Sequence, residues 1–167
     1  MPQNENFLVF AKPFVEALKN VFETMVFTKI EANKPTFKTD SLTRGDVSAV
    51  MGMNGVYQKD SEETDFKGML VISWPYETYT KTASAMLMEE YPEYCEDIAD
   101  VGGEISNMIM GNAKRELNGL GYKLEMSIPS MIGGKDHSIT YPDGVKVILI
   151  PLSCSHGEFF MEICYKD

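Results

Sequence analysis

Residues 93–118 constrain this chain more than any other stretch. At about 100° per residue, Ile98, Val101, Ile105, Ile109, Ala113 and Leu120 share one side of a long helix, which Gly119 and Gly121 stop. A helix with a single apolar stripe is stable only when that stripe is buried against a second layer. The residues that follow can supply the layer. Runs 123–128, 145–153 and 157–165 read as strands, with a shorter one at 138–141. Pro142-Asp143-Gly144 and Ser155-His156-Gly157 form the tight connections.

The first part of the chain has the same order, a helix followed by strands. Residues 13–25 read as an amphipathic helix with Pro13 in its first turn and Phe14, Leu18, Val21, Phe22 and Met25 at helical spacing. The apolar residues 7–10 fit either an earlier helical turn or an arm. Strand-like runs lie at 26–30, 46–53 and 66–73, with Asn54-Gly55 read as a turn, and a second helix spans 75–90. A proline follows each leading helix and its first strand, at Pro35 and at Pro129, so the pattern suggests an internal duplication. The expected class is α+β, with a largely antiparallel sheet and long helices packed on it.

Composition excludes several classes of function. A chain of 167 residues can form one domain with its own core. A formal net charge of −10 argues against a general nucleic-acid binder, because phosphate backbones are met by basic patches. No run approaches the ~18 apolar residues of a membrane span. The start, Met1-Pro2-Gln3-Asn4, lacks the basic region of a secretory signal. Cys95, Cys154 and Cys164 fit free thiols in a reducing compartment, so a cytoplasmic protein is expected. Gly133-Gly134-Lys135-Asp136 departs from a P-loop at both ends and reads as a turn. His137 and His156 lack metal-ligand spacing with the cysteines and read as surface residues in turns. Met51, Met53, Met86 and Met88 read as core, and residues 89–93 as a solvated acidic turn.

The side of the long helix away from its apolar stripe carries Asp100, Glu104, Asn107, Gly111 and Lys114. Each of Gly102, Gly103 and Gly111 costs a helix about 1 kcal/mol against alanine. Glycines here let another surface approach the backbone, either a docking partner or another helix of the same fold. A Glu and an Asn three residues apart are compatible with a plain solvated face as well as with a site.

This segment resembles the signature of the CheC/CheX/FliY phosphatases: Asp or Ser, three residues, Glu, two residues, Asn, and a distant proline. Asp100, Glu104, Asn107 and Pro129 take those places, and residues 107–114 are also very like members of that family. Residues 108–128 separate Asn107 from Pro129, one fewer than the pattern has. The likeness extends more loosely to Pro13-Phe14-Val15-Glu16 and to residues 68–73. It implies a single pseudo-symmetric domain over residues 1–167 that dephosphorylates the aspartate of a CheY-like response regulator. In that reading Asn107 positions the attacking water and Glu104 pairs with the regulator's lysine. Asp100, Gly103, Gly111 and Lys114 join the partner-binding face, and Mg²⁺ belongs to the regulator, with no cofactor held by this chain.

Both leading helices of the family can carry the Glu-x-x-Asn pair. Here the first offers Glu16-Ala17-Leu18-Lys19. A lysine ammonium only donates hydrogen bonds, so that helix should be inactive. One competent site resembles CheX more than CheC, and implies a homodimer joined at a sheet edge or at a helix face away from Glu104. The rival readings on the same fold are a module that binds the regulator without hydrolysis and a flagellar-switch component.

Overall fold

The computed structural model describes residues 2–40, 43–134 and 137–166. Its elements are α1 (Pro2–Val21), β1 (Glu31–Ala32), β2 (Thr36–Phe37), β3 (Val47–Lys59), β4 (Glu62–Trp74), α2 (Tyr76–Leu87), α3 (Val101–Gly119), β5 (Tyr122–Met126), β6 (Ser130–Gly133), β7 (Lys146–Cys154) and β8 (Gly157–Lys166). The strands form one antiparallel sheet in the order β1-β7-β8-β4-β3-β5, with β2 also on β7 and β6 also on β3. The three helices pack on it, so the expected α+β class holds.

Two hairpins, β3–β4 and β7–β8, meet through β4 and β8 at the middle of the sheet. The duplicated pattern is visible in how the short strands pair. After α1 the chain makes the broken strand β1–β2, interrupted around Pro35, and lays it on β7 of the other half. After α3 it makes the broken strand β5–β6, interrupted around Pro129, and lays it on β3 of the first half. Each half thus completes the sheet of the other.

Period-two alternation gives the sheet two different faces. Leu70, Ile72 and Trp74 of β4 join Phe159, Met161 and Ile163 of β8 in the core under the helices. Phe10, Phe14, Leu18 and Val21 of α1 enter that core, with Phe10 packed on the rings of Phe66, Tyr122 and Tyr165. Val71, Leu149, Glu162 and Cys164 are buried on the opposite face. The side chains of Lys38 and Glu162 are 0% and 1% exposed and form an ion pair there. Tyr141 donates to the same carboxylate at 3.0 Å and accepts from Lys38 Nζ at 3.2 Å. Burial, more than the adjacent carboxylate, raises the Tyr141 pKa and keeps the phenol neutral.

Several local expectations are corrected. Pro13 lies inside α1, which begins at Pro2 and so contains residues 7–10. Residues 22–26 form a π-helical turn. Phe27 then adopts a left-handed conformation (φ 61°) and returns its N–H to Phe22, so 26–30 is not a strand. Asn54-Gly55 lies inside β3, and the turn is at Asp60 and Ser61. Gly55 is there for close approach: a Cβ would sit 1.9 Å from the Lys123 carbonyl oxygen. The long helix begins at Val101, preceded by a short 3₁₀ turn at Glu96–Ile98. Residues 138–141 form no strand, whereas Ser130–Gly133 does. His137 is half-buried and bonded: Nδ1 meets the Gly134 carbonyl at 2.7 Å, so it donates, and in the neutral ring Nε2 accepts from the Ser48 hydroxyl at 2.7 Å. Met88 is exposed rather than core. Lys135 and Asp136 of the expected 133–136 turn lie outside the described residues. No described helix is long and apolar enough to cross a membrane.

Removing one member of a buried ion pair strands the other charge, which costs about 3–5 kcal/mol. Lys38→Ala is therefore expected to lower stability by about that amount in urea unfolding, and adding Glu162→Leu should recover most of the loss.

Candidate functional site

The α3 start is fixed by a residue from another helix. Asp100 occupies the N-cap position but makes no capping side-chain bond. In its place the Tyr79 hydroxyl, from α2, accepts the Gly102 N–H at 3.0 Å. The same hydroxyl donates to the Ile98 carbonyl at 2.7 Å, with that of Ala99 at 3.1 Å. Burial raises the Tyr79 pKa far above its ordinary value, so the phenol stays protonated and keeps its donor. One of the orphan N–H groups of the first turn is thereby satisfied.

Gly102 and Gly103 are buried, and of the two alternatives open to them it is packing within the fold that is seen here. A Cβ on Gly102 would lie 2.9 Å from Met131 Cε, 3.0 Å from Trp74 Cζ3 and 3.2 Å from Tyr79 Cε2. One on Gly103 would lie 3.5 Å from Pro129 Cβ. The surface that approaches these glycines is the chain's own, so partner contact at Gly103 would have to pass Pro129. Gly111, by contrast, is half-buried and faces open space.

The polar crest of α3 is arranged as its periodicity requires. Asp100, Glu104, Asn107 and Lys114 are exposed, and Ile98, Val101, Ile105, Ile109 and Ala113 are buried. The stripe ends differently from expectation: Leu117 is buried and Leu120 is exposed, because the helix stops at Gly119 before Leu120 can turn inward. Neither Glu104 nor Asn107 makes a side-chain hydrogen bond or ion pair with the described residues. A carboxylate and a carboxamide thus stand one helical turn apart, facing solvent, on a helix whose N-terminus is locked.

The other expected positions are equally plain. Glu16 and Lys19 are exposed on α1, beside α3, and Lys19 brings no carboxamide. Glu16, Asn20, Asn112 and Arg115 line a groove between the two helices. The described residues hold no group of three His, Cys, Asp or Glu side chains placed to share a metal ion. Tyr79 was missed by sequence reasoning, since a tyrosine within an ordinary amphipathic helix carries no local sign of a capping role.

Comparison with known proteins agrees with the signature. The family model described as chemotaxis phosphatase CheX matches residues 47–153. A CheC-like superfamily protein from Shewanella sp. PV-4 is 32% identical, with a TM-score of 0.82, covering 95% of this chain and 97% of that one. Chemotaxis protein CheX from Vibrio vulnificus is 32% identical, with a TM-score of 0.80, covering 94% and 99%. The CheX–CheY–BeF₃–Mg²⁺ complex from Borrelia burgdorferi shares the fold at 24% identity, with a TM-score of 0.77 and coverage of 95% and 98%. No curated protein matches the chain.

The two adjacent glycines should respond differently to alanine. Gly103→Ala meets only ordinary van der Waals contact and should gain up to about 1 kcal/mol of helix propensity. Gly102→Ala presses on the buried Trp74 ring and should forfeit that gain. Thermal unfolding of both variants should place Gly103→Ala above wild type and Gly102→Ala below Gly103→Ala.

Proposed function

The chain belongs to the CheX family of chemotaxis phosphatases, and from that premise we propose that, as one CheX-like domain over residues 1–167, it removes the phosphoryl group from the aspartate of a phosphorylated CheY-like response regulator. The observation that carries the reading is the unpaired, exposed Glu104 and Asn107 on a helix pinned by Tyr79. The CheX–CheY complex from Borrelia burgdorferi supports the class of partner.

Hydrolysis needs a water in line with the scissile bond between phosphorus and the aspartyl oxygen. The water oxygen bonds to phosphorus, the aspartyl carboxylate leaves, and the water's proton passes to the released phosphate. Phosphoryl transfer asks mainly for positioning and charge stabilisation. A carboxamide serves both demands: its carbonyl accepts from the water and its NH₂ donates to a phosphoryl oxygen. A carboxylate in that position would repel the anion. This is the role of Asn107. Glu104 pairs with the regulator's active-site lysine and sets the register of the two proteins. Asp100, Gly111 and Lys114 contribute to the same face, while Gly103 acts from beneath it by seating Pro129.

Mg²⁺ belongs to the regulator in this reading, and the α1 pair Glu16 and Lys19 is inert. The proposed place of action is the cytoplasm, where such regulators work. On the family likeness the protein is also proposed to be a homodimer, for which light scattering should return twice the chain mass of 18.8 kDa; a monomer mass at micromolar concentration would remove that proposal.

Asn107→Ala should lower single-turnover hydrolysis of a phosphorylated regulator by about 10²–10³, the scale of losing one oriented donor, with the unfolding midpoint unchanged. Glu104→Ala should weaken regulator binding as well as turnover. Wild-type turnover in Asn107→Ala would defeat the mechanism and leave a binding module as the better reading.

A further inference from the structure

Met126, at the end of the edge strand β5, is 41% exposed, and Ile128, in the break between β5 and β6, is 87% exposed, at a sheet edge where apolar side chains are usually avoided. Their backbone is held from both sides. Ser127 N–H donates to the Gly52 carbonyl at 2.9 Å, and Gly52 N–H donates to Ser127 Oγ at 2.8 Å. Pro129 rests against Gly103 of α3. An apolar side chain presented by a fixed backbone is pre-organised for contact, because little entropy remains to be lost on binding.

The ledge can be placed along α3 by two fixed points. Pro129 is seated at Gly103, and Leu124 shares a surface groove with Lys114. From Leu124 to Pro129 the chain carries one extra residue against β3 between Met126 and Ser130, so it advances about 14 Å at about 3.3 Å per paired residue. From Lys114 back to Gly103 the helix advances a similar distance at about 1.5 Å per residue. Ile128, one residue before Pro129, therefore lies beside the first turns of α3, which carry Glu104 and Asn107, and Met126 lies further along the helix. Around the helix axis, Asn107 is turned only about 40° from Gly103, whereas Glu104 is turned about 100°. Of the polar pair, Asn107 is thus turned nearer to the Pro129 side of the helix than Glu104.

Resting on the phosphatase reading above, we propose that Ile128, with Met126 beside it, is an apolar anchor for the receiver domain of the response regulator. It contacts an apolar patch next to the phosphoaspartate and sets affinity and choice of regulator without touching the reacting atoms. Continuity points to that occupant: Ile128 precedes Pro129, which seats at Gly103, one residue before Glu104 and one turn before Asn107. An apolar contact flanking a charged one is the usual composition of a specific interface.

The test uses the full chain with a purified CheY-type receiver domain. Binding is read by calorimetric titration with the receiver's beryllofluoride–Mg²⁺ form, and hydrolysis by single turnover after phosphorylation with acetyl phosphate. Ile128→Asp should weaken binding and raise the half-saturating receiver concentration by about 10- to 50-fold. The rate at saturation should stay within about twofold. Ile128→Leu should restore near wild-type binding, and Met126→Ser should show the same pattern more weakly. Asn107→Ala should do the reverse, keeping binding and losing turnover. Wild-type affinity in Ile128→Asp overturns the anchor while leaving the phosphatase reading intact. A loss of affinity that tracks a change in sedimentation state overturns it in favour of self-association through this edge. If the wild-type chain binds the receiver without hydrolysing it, the phosphatase reading fails and the anchor is still judged by the binding of Ile128→Asp. If it does neither, both are overturned.

Discussion

Each half of this chain gives its short, broken strand to the hairpin of the other. β1 and β2 pair with β7, β5 and β6 pair with β3, and the hairpins are joined only through β4 and β8. A half on its own would leave both the inner edge of its hairpin and the strand it gives away without backbone partners, at a cost for every group buried unpaired. The helices follow the same logic. α1 and α3 lie against each other over the shared sheet, and Phe10 of α1 packs on Tyr122 of β5 and Tyr165 of β8. The candidate site therefore sits on an element that both halves hold in place.

That rigidity matters for a site of only two side chains. Glu104 and Asn107 make no bonds of their own with the described residues, so their placement depends entirely on the backbone beneath them. Three contacts fix it. Tyr79 holds the first turn by Gly102, Trp74 and Met131 fill the space that a Cβ would take there, and Pro129 closes on Gly103. The glycines and the proline of the signature thus meet in space, and the catalytic proposal depends on that meeting. The opposite face of the sheet is secured separately. The pair of Lys38 with Glu162, and the bonds of His137 to Ser48 and Gly134, hold down the crossing segments.

Legibility from sequence divides along physical lines. The crest and stripe of α3 were readable because helical periodicity is local: a residue's side of the helix follows from its number alone. The hairpin β7–β8 was readable for the same reason, with alternation and a Gly157 turn. Where reading failed, a distant partner had decided the outcome. Asn54-Gly55 has the composition of a turn, but the Lys123 carbonyl approaches so closely that only glycine fits inside a strand there. Leu120 continues the stripe in projection, yet the helix ends one residue earlier and Leu117 takes the core position. Residues 26–30 have strand-like composition, but Phe27 closes a π-helical turn instead.

By itself, the sequence determined the α+β class, the polar crest with Glu104 and Asn107, and the likeness of residues 100–129 to the phosphatase signature. All of these rest on patterns within a few turns of chain or on spacing along it. Only the tertiary structure decided that the glycine pair faces inward to Trp74 and Pro129, that a tyrosine from another helix caps α3, and that Ile128 is left exposed next to the Pro129 that seats on Gly103. These depend on contacts between residues far apart in sequence, formed when the two halves exchange strands, and no local pattern encodes which side chain will fill a given space.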